Sequence, residues 1–163
     1  MNQKEIEILK IMNQATNRMD LNMFAQKVNL NPNQTIQQVQ ELAKKGLLRK
    51  VGSGYGVTEK GKAALKAFTA LPNGLEFNFY IQLAQPTGQT AQTLADFYEI
   101  IKQVNAVSLE FHLYRGDFEV WIKDALNDPE LAKQIGDLKA EGLKDEDLRK
   151  KLLKLLDAKY SIE

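Results

Sequence analysis

Residues Asn31–Lys66 read NPNQTIQQVQELAKKGLLRKVGSGYGVTEKGKAALK, and their order of caps, apolar positions and breakers decides the fold. Asn31 is a good helix N-cap, and Pro32 follows at the first helical position, where its missing N–H costs nothing. Gln34 is placed to complete a capping box with Asn31. Ile36, Val39, Leu42 and Ala43 then form the expected buried stripe. Gly46 ends the helix, and Lys44 and Lys45 in its last turn favour the negative end of the dipole. Leu47–Val51 and Tyr55–Val57 read as two short strands around the tight loop Gly52-Ser53-Gly54. Thr58 caps a closing helix that runs through Ala63, Ala64 and Leu65 to about Thr69.

Upstream of this unit, a first helix is expected over roughly Gln3–Gln14. Ile6, Leu9 and Met12 form its stripe, and Ile8 and Ile11 widen it. Asn17–Asp20 reads as a turn, with Asp20 capping a short helix over Leu21–Val28. Its inward residues would be Leu21, Phe24, Ala25 and Val28. Helix, helix, helix, hairpin, helix is the order of a winged helix-turn-helix. Leu71-Pro72-Asn73-Gly74 is the best boundary in the chain, because Pro stops a helix and Asn-Gly is a strong turn pair. The linker falls at about 69–75, separating a domain over 1–70 from a second over 75–163.

In the second half, Phe77, Phe79, Ile81 and Leu83 alternate with polar positions, as in a half-buried strand. Pro86-Thr87-Gly88 reads as a loop. Thr93–Val104 is amphipathic, with Leu94, Phe97, Ile100, Ile101 and Val104 inward. Val107–Tyr114 fits two templates: Leu109, Phe111 and Leu113 alternate like a strand, while Val107, Phe111 and Tyr114 fit a helix face. Gly116-Asp117 starts a helix with the stripe Phe118, Trp121, Ile122 and Leu126. Asp128-Pro129 opens another, which Gly142 breaks, and Asp145–Tyr160 is the last. The expected fold class is mainly α with a small β wing: a winged helix followed by a mostly helical domain with one short strand.

Composition narrows the function classes. The chain has 163 residues and no cysteine, so disulfides, thiolate metal sites and cysteine nucleophiles are excluded. Its single histidine is His112. No stretch approaches the ~20 apolar residues of a membrane span, and the N-terminus lacks a signal-peptide core. The expectation is a cytoplasmic protein without membrane contact. Net charge is +1, but residues 1–70 hold 11 Lys/Arg against 5 Asp/Glu, and residues 71–163 hold 11 against 16. The first part carries +6 and the second −5, and a basic domain suits phosphate.

In the helix-turn-helix mode the second helix of the motif enters the major groove. Turning away from the Ile36/Val39/Leu42/Ala43 stripe puts Gln34, Gln37, Glu41 and Lys45 outward, with Gln38 and Lys44 at the margins. Amide side chains pair with adenine edges, and Thr35 near the helix start is placed to reach a phosphate or a thymine methyl. The expected base contacts are Gln34, Thr35, Gln37 and Gln38. The expected phosphate contacts are Lys44, Lys45, Arg49, Lys50, Lys60 and Lys62. The outer face has no arginine, and the wing tip is short and uncharged.

His112 lies between Phe111 and Leu113, where a packed histidine finds backbone or carboxylate partners; an enzyme built on His112 and Asp117 is the sharper alternative. Trp121 and Phe118 read as core at helical spacing. No catalytic set, metal site or cofactor is expected.

The segment from Leu21 to Gly61 resembles the winged-helix transcriptional regulators of archaea and bacteria, including the MarR-like group. The likeness is carried by Ala25, Val39, Leu42, Lys45, Gly46, Leu47, Leu48, Tyr55, Thr58, Lys60 and Gly61. The second half is similar to a family of uncharacterised, mainly helical domains. That likeness is carried by Phe77 and Phe79, the T-L-A-D-F-Y-E-I-I-K helix, Ser108, His112, the D-F-E-V-W-I run and D-P-E-L-A-K-Q-I. It implies a helical core around Trp121 and tilts Val107–Tyr114 towards helix. The leading expectation is a DNA-binding transcriptional regulator whose partner is double-stranded DNA. A homodimer is expected because a winged helix with few basic readers binds weakly alone. The rival is an adaptor that docks protein on the winged helix and a further protein partner on the acidic C-terminal domain.

Overall fold

The structure is a computed structural model that describes residues 1–15 and 21–163; the turn expected at Asn17–Asp20 and the Asp20 cap lie outside the described residues. The described chain is mainly helical, with two small antiparallel two-stranded sheets. None of its helices is long and apolar enough to cross a membrane. It falls into two compact units, Met1–Lys66 and Ala67–Ile162.

The first unit holds α1 (Gln3–Gln14), α2 (Leu21–Lys27), α3 (Pro32–Lys44), β1 (Leu48–Val51), β2 (Gly54–Val57) and α4 (Glu59–Ala67). Asn2 and Asn31 each close a full capping box, with Glu5 and Gln34 as reciprocal partners. The end of α3 is a Schellman motif: Gly46 N–H donates to Ala43 O and Leu47 N–H to Leu42 O, with Gly46 at φ +75°. Thr58 locks this corner to the next helix. Its hydroxyl meets the Gly46 and Leu47 carbonyls (2.7 and 3.1 Å) and accepts from the Gly61 amide (3.0 Å). Gly61 has to be glycine, since a Cβ there would drive into the Leu47 carbonyl and sit 2.8 Å from Val57 Cγ1. Lys45-Gly46-Leu47 and Thr58-Glu59-Lys60-Gly61 are thus the two sides of one backbone clamp.

Two expected inward residues are corrected. Leu21 is exposed, at 40%. On α3 the buried side runs through Thr35, Val39 and Leu42, and Ile36 is 39% exposed. Thr35 can be buried because its hydroxyl donates to the Asn31 carbonyl one turn back (2.9 Å). With its polar group satisfied, the slim threonine fits against the neighbouring helices and Ile36 is turned outward.

The second unit holds β3 (Phe77–Gln82), β4 (Gln85–Ala91), α5 (Leu94–Gln103), α6 (Ala106–Arg115), α7 (Asp117–Leu126), α8 (Pro129–Glu141) and α9 (Asp145–Tyr160). β4 replaces the loop expected at Pro86-Thr87-Gly88 and adds a second strand to the single one expected. Pro86 is tolerated because both strands of a two-stranded sheet are edge strands, and the register shifts around Tyr80 accommodate it. The Val107–Tyr114 segment is helical, but its outward residues are Val107 and Tyr114, while Ser108, Leu109, His112 and Leu113 are buried. The core is a ring cluster. Phe77, Phe79, Phe97, Phe118 and Trp121 pack around one another, with Trp121 stacked on Phe97 at 4.5 Å. Trp121 Nε1 donates to the Leu75 carbonyl (2.7 Å), satisfying the indole. Arg149 on α9 donates to the carbonyls of Ile101 and Val104, capping the end of α5. Asp128 holds α8 and α9 together: it accepts from the Leu131 amide, Lys159 and the Tyr160 hydroxyl. Burial pushes the Tyr160 phenol up, and Asp128 beside it pushes it further.

Candidate functional site

The first candidate is the outer face of α3 with the adjoining strand. Recentring the buried side on Thr35 recentres the exposed one on Asn33, Gln37, Gln40 and Lys44, at about 100° per residue. A stripe centred on Ile36 hides Asn33 and Gln40, which the burial of Thr35 turns outward. Of the four expected base readers, Gln37 is exposed and without a partner among the described residues. Gln34 is exposed, but its carbonyl oxygen accepts from the Asn31 amide in the capping box (3.3 Å). Thr35 is fully buried and cannot meet a ligand. Gln38 is half-buried, and its buried side-chain oxygen has no partner among the described residues. Gln34, Gln37 and Gln38 border a shallow depression of about 450 Å³ together with Asn2, Gln3, Lys4 and Leu30.

The expected phosphate contacts divide. Arg49 and Lys50 on β1 are exposed and meet no partner among the described residues. Lys44 pairs with Glu41 at the surface (3.0 Å) and Lys62 with Glu59 (2.7 Å), loose pairs that a phosphate can displace. Lys60 donates to the Lys45 carbonyl (3.0 Å), part of the clamp at Gly46. Lys45 bonds the buried Glu5 carboxylate (2.7 Å). Burial alone would raise the Glu5 carboxyl, but Lys45 and the Asn2 amide outweigh it and hold it below its ordinary value. Lys45 is therefore a structural cation.

The second candidate is a cleft of about 340 Å³ in the second unit, bordered by the β3–β4 hairpin, α6 and the start of α7. His112 and Asp117 share it. Tyr80 N–H donates to His112 Nε2 (2.8 Å), so Nε2 carries the lone pair and the ring proton sits on Nδ1. Nδ1–H then donates to Asp117 Oδ2 (2.7 Å). Burial holds the imidazole below its ordinary value, and Arg115 adds to this, against the pull of Asp117. Both ring nitrogens are occupied in the neutral form, so His112 works as a pin that ties β3 to α6 and α7. Proton transfer through it would first require one of those bonds to break. The spacing of His112 and Asp117 was visible in the sequence; the Tyr80 amide was not, since the ring partner is a backbone group 32 positions away. Among the described residues, no three His, Asp or Glu side chains converge as metal ligands.

A family model described as a family of unknown function, DUF5752, matches residues 72–163, more than half of the chain. The chain belongs to this family. The DUF5752 region takes in β3 to α9, and with them the ring cluster, the His112 pin and the cleft. No curated protein and no solved structure matches the chain.

Proposed function

We propose that the N-terminal unit is a winged helix-turn-helix that binds double-stranded DNA, and that the protein is a transcriptional regulator. In this reading α3 lies in the major groove, with Gln37, Gln40 and Asn33 towards base edges. Lys44, Arg49 and Lys50 meet phosphates, with Lys62 as a further contact from α4. The observation that carries the reading is the pairing of an amide-rich outer face on α3 with Arg49 and Lys50, which meet no partner among the described residues, on the next strand. Unpaired exposed cations are available for counterion release, which drives most non-specific DNA affinity. The order of elements and the likeness to MarR-like regulators support the same conclusion. Two copies acting as a homodimer would reach two half-sites, and the DUF5752 region would supply sensing, pairing or recruitment.

A mobility-shift series tests this. The full chain is expected to shift duplex DNA at low salt. Arg49→Glu with Lys50→Glu should weaken the shift on every sequence. Gln37→Ala with Gln40→Ala should weaken it most on the preferred site. A shift untouched by the charge reversals rejects the reading.

Exposed apolar residues favour a second reading, a protein-docking wing. Val51 is 52% and Tyr55 38% exposed on the hairpin, and Ile36 is exposed on α3. An adaptor would use these residues and would be captured by a protein partner without shifting DNA.

A further inference from the structure

Two charged groups at the mouth of the His112 cleft keep an edge free. Arg115 donates through Nε to Asp117 Oδ2 (3.2 Å) and lays its guanidinium over the Phe111 ring (4.9 Å to the centroid). Its Nη groups meet no partner among the described residues. Asp117 receives His112 and Arg115 on Oδ2, while Oδ1 accepts no bond among the described residues. Both side chains reach solvent, at 46% and 30% exposure. A donor fork and a lone acceptor therefore stand side by side. Behind them the walls are mostly apolar, with Phe77, Tyr80, Leu83 and Phe111, and Asn78 and His112 add polar groups. The volume, about 340 Å³, is at the small end of the roughly 300–1,000 Å³ range of small-molecule clefts. One wall is held in a strained form. Ala84 at the hairpin tip has φ +60°, a left-handed conformation that alanine seldom adopts, and beside it Leu83 is 72% exposed.

We propose that this cleft binds a free α-amino acid with an apolar side chain. An α-amino acid carries its two opposite charges on one carbon, matching an Arg and an Asp whose free edges are adjacent. The carboxylate takes the Arg115 fork, the ammonium takes Asp117 Oδ1, and the side chain covers Leu83 and Phe111. A plain carboxylic acid would satisfy Arg115 but set a like charge beside Asp117. A plain amine would do the reverse. The reading is independent of DNA binding.

Calorimetric titration of the full chain with L-phenylalanine and L-leucine tests it, with 3-phenylpropionate and 2-phenylethylamine as single-charge controls. Saturable binding of one or both amino acids is expected, and each control should bind at least about tenfold more weakly, the worth of one charge-assisted pair. Arg115→Gln should weaken binding by a similar factor without changing the melting temperature. Leu83→Asp, at an exposed tip that leaves the core intact, should abolish it. The proposal is overturned by absence of heat with both amino acids, by equal binding of 3-phenylpropionate, or by unchanged affinity in Leu83→Asp.

Discussion

The two hairpins, β1–β2 and β3–β4, both close on two-residue turns, and each turn contains one residue with a left-handed backbone. In β1–β2 that residue is Gly52 (φ +59°) at the first central position, where a type II′ turn takes glycine. In β3–β4 it is Ala84 (φ +60°), where alanine is strained. The first hairpin keeps a regular register over all its pairs; the second shifts on both sides of Tyr80. β1 buries Leu48 alone, while β3 drives Phe77 and Phe79 into the ring cluster and is pinned by His112. The first is shaped by its own turn chemistry and by the Thr58–Gly61 clamp next to it. The second is shaped from outside, by helices that follow it in sequence, and that grip tolerates a poor turn and a proline in the strand.

The largest expected effect tests that outside grip. Phe79→Ala, at a fully buried position, should cost about 3–5 kcal/mol in urea unfolding; a loss below about 1 kcal/mol would show that the ring cluster does not hold the hairpin. Next comes the clamp of the first hairpin. Gly61→Ala should cost about 1–3 kcal/mol by overpacking against Leu47 and Val57. Gly54→Ala, on β2, where a Cβ comes no nearer than 4.0 Å to the Val51 carbonyl oxygen, should stay within about 1 kcal/mol of the parent.

The His112 pin should give a pH signature. An unfolded histidine titrates near 6.5 and the folded imidazole below it, so between those values the unfolded chain binds the extra proton. The contribution of His112 is complete above about pH 6.5 and is lost as pH falls below it. Glu5 and Asp128 have ordinary values of 4.5 and 3.8 and fold with lower ones. Their contributions are lost only as pH falls below those. His112→Gln should be less stable at neutral pH by about 1–3 kcal/mol. Its stability should then stay flat down to the carboxylate range. A parent curve already flat between pH 7 and 5 contradicts the pin.

The smallest effects are opposite in sign. Gly52→Ala should destabilise by about 1 kcal/mol, and Ala84→Gly should stabilise by up to about 1 kcal/mol. Equal signs would mean that the turns are not distinguished by their left-handed residues.

What was legible in the sequence follows the same division. The start and stop of α3, the Thr58 cap and the glycine-centred hairpin were readable because each rests on neighbours within four residues. So were the starts of α7 and α8. β4 was not, because its polar sequence gains its place only by pairing with β3. The α3 face was displaced by one residue because apolarity counted Ile36 inward, whereas a threonine that bonds its own preceding turn is as easily buried. The roles of Lys45 and His112 depended on Glu5 and on the Tyr80 amide, partners distant in sequence. Arg115 and the cleft it borders gave no local signal at all.

The most direct test of the DNA-binding account is anisotropy titration of a random-sequence duplex with the full chain across a salt series. The account predicts that log affinity falls linearly with log salt, by about 0.9 per phosphate contact. Arg49→Glu with Lys50→Glu should bind more weakly and with a shallower slope, by about one unit per lost contact. Absence of binding at low salt, or an affinity indifferent to both salt and the double reversal, would contradict it.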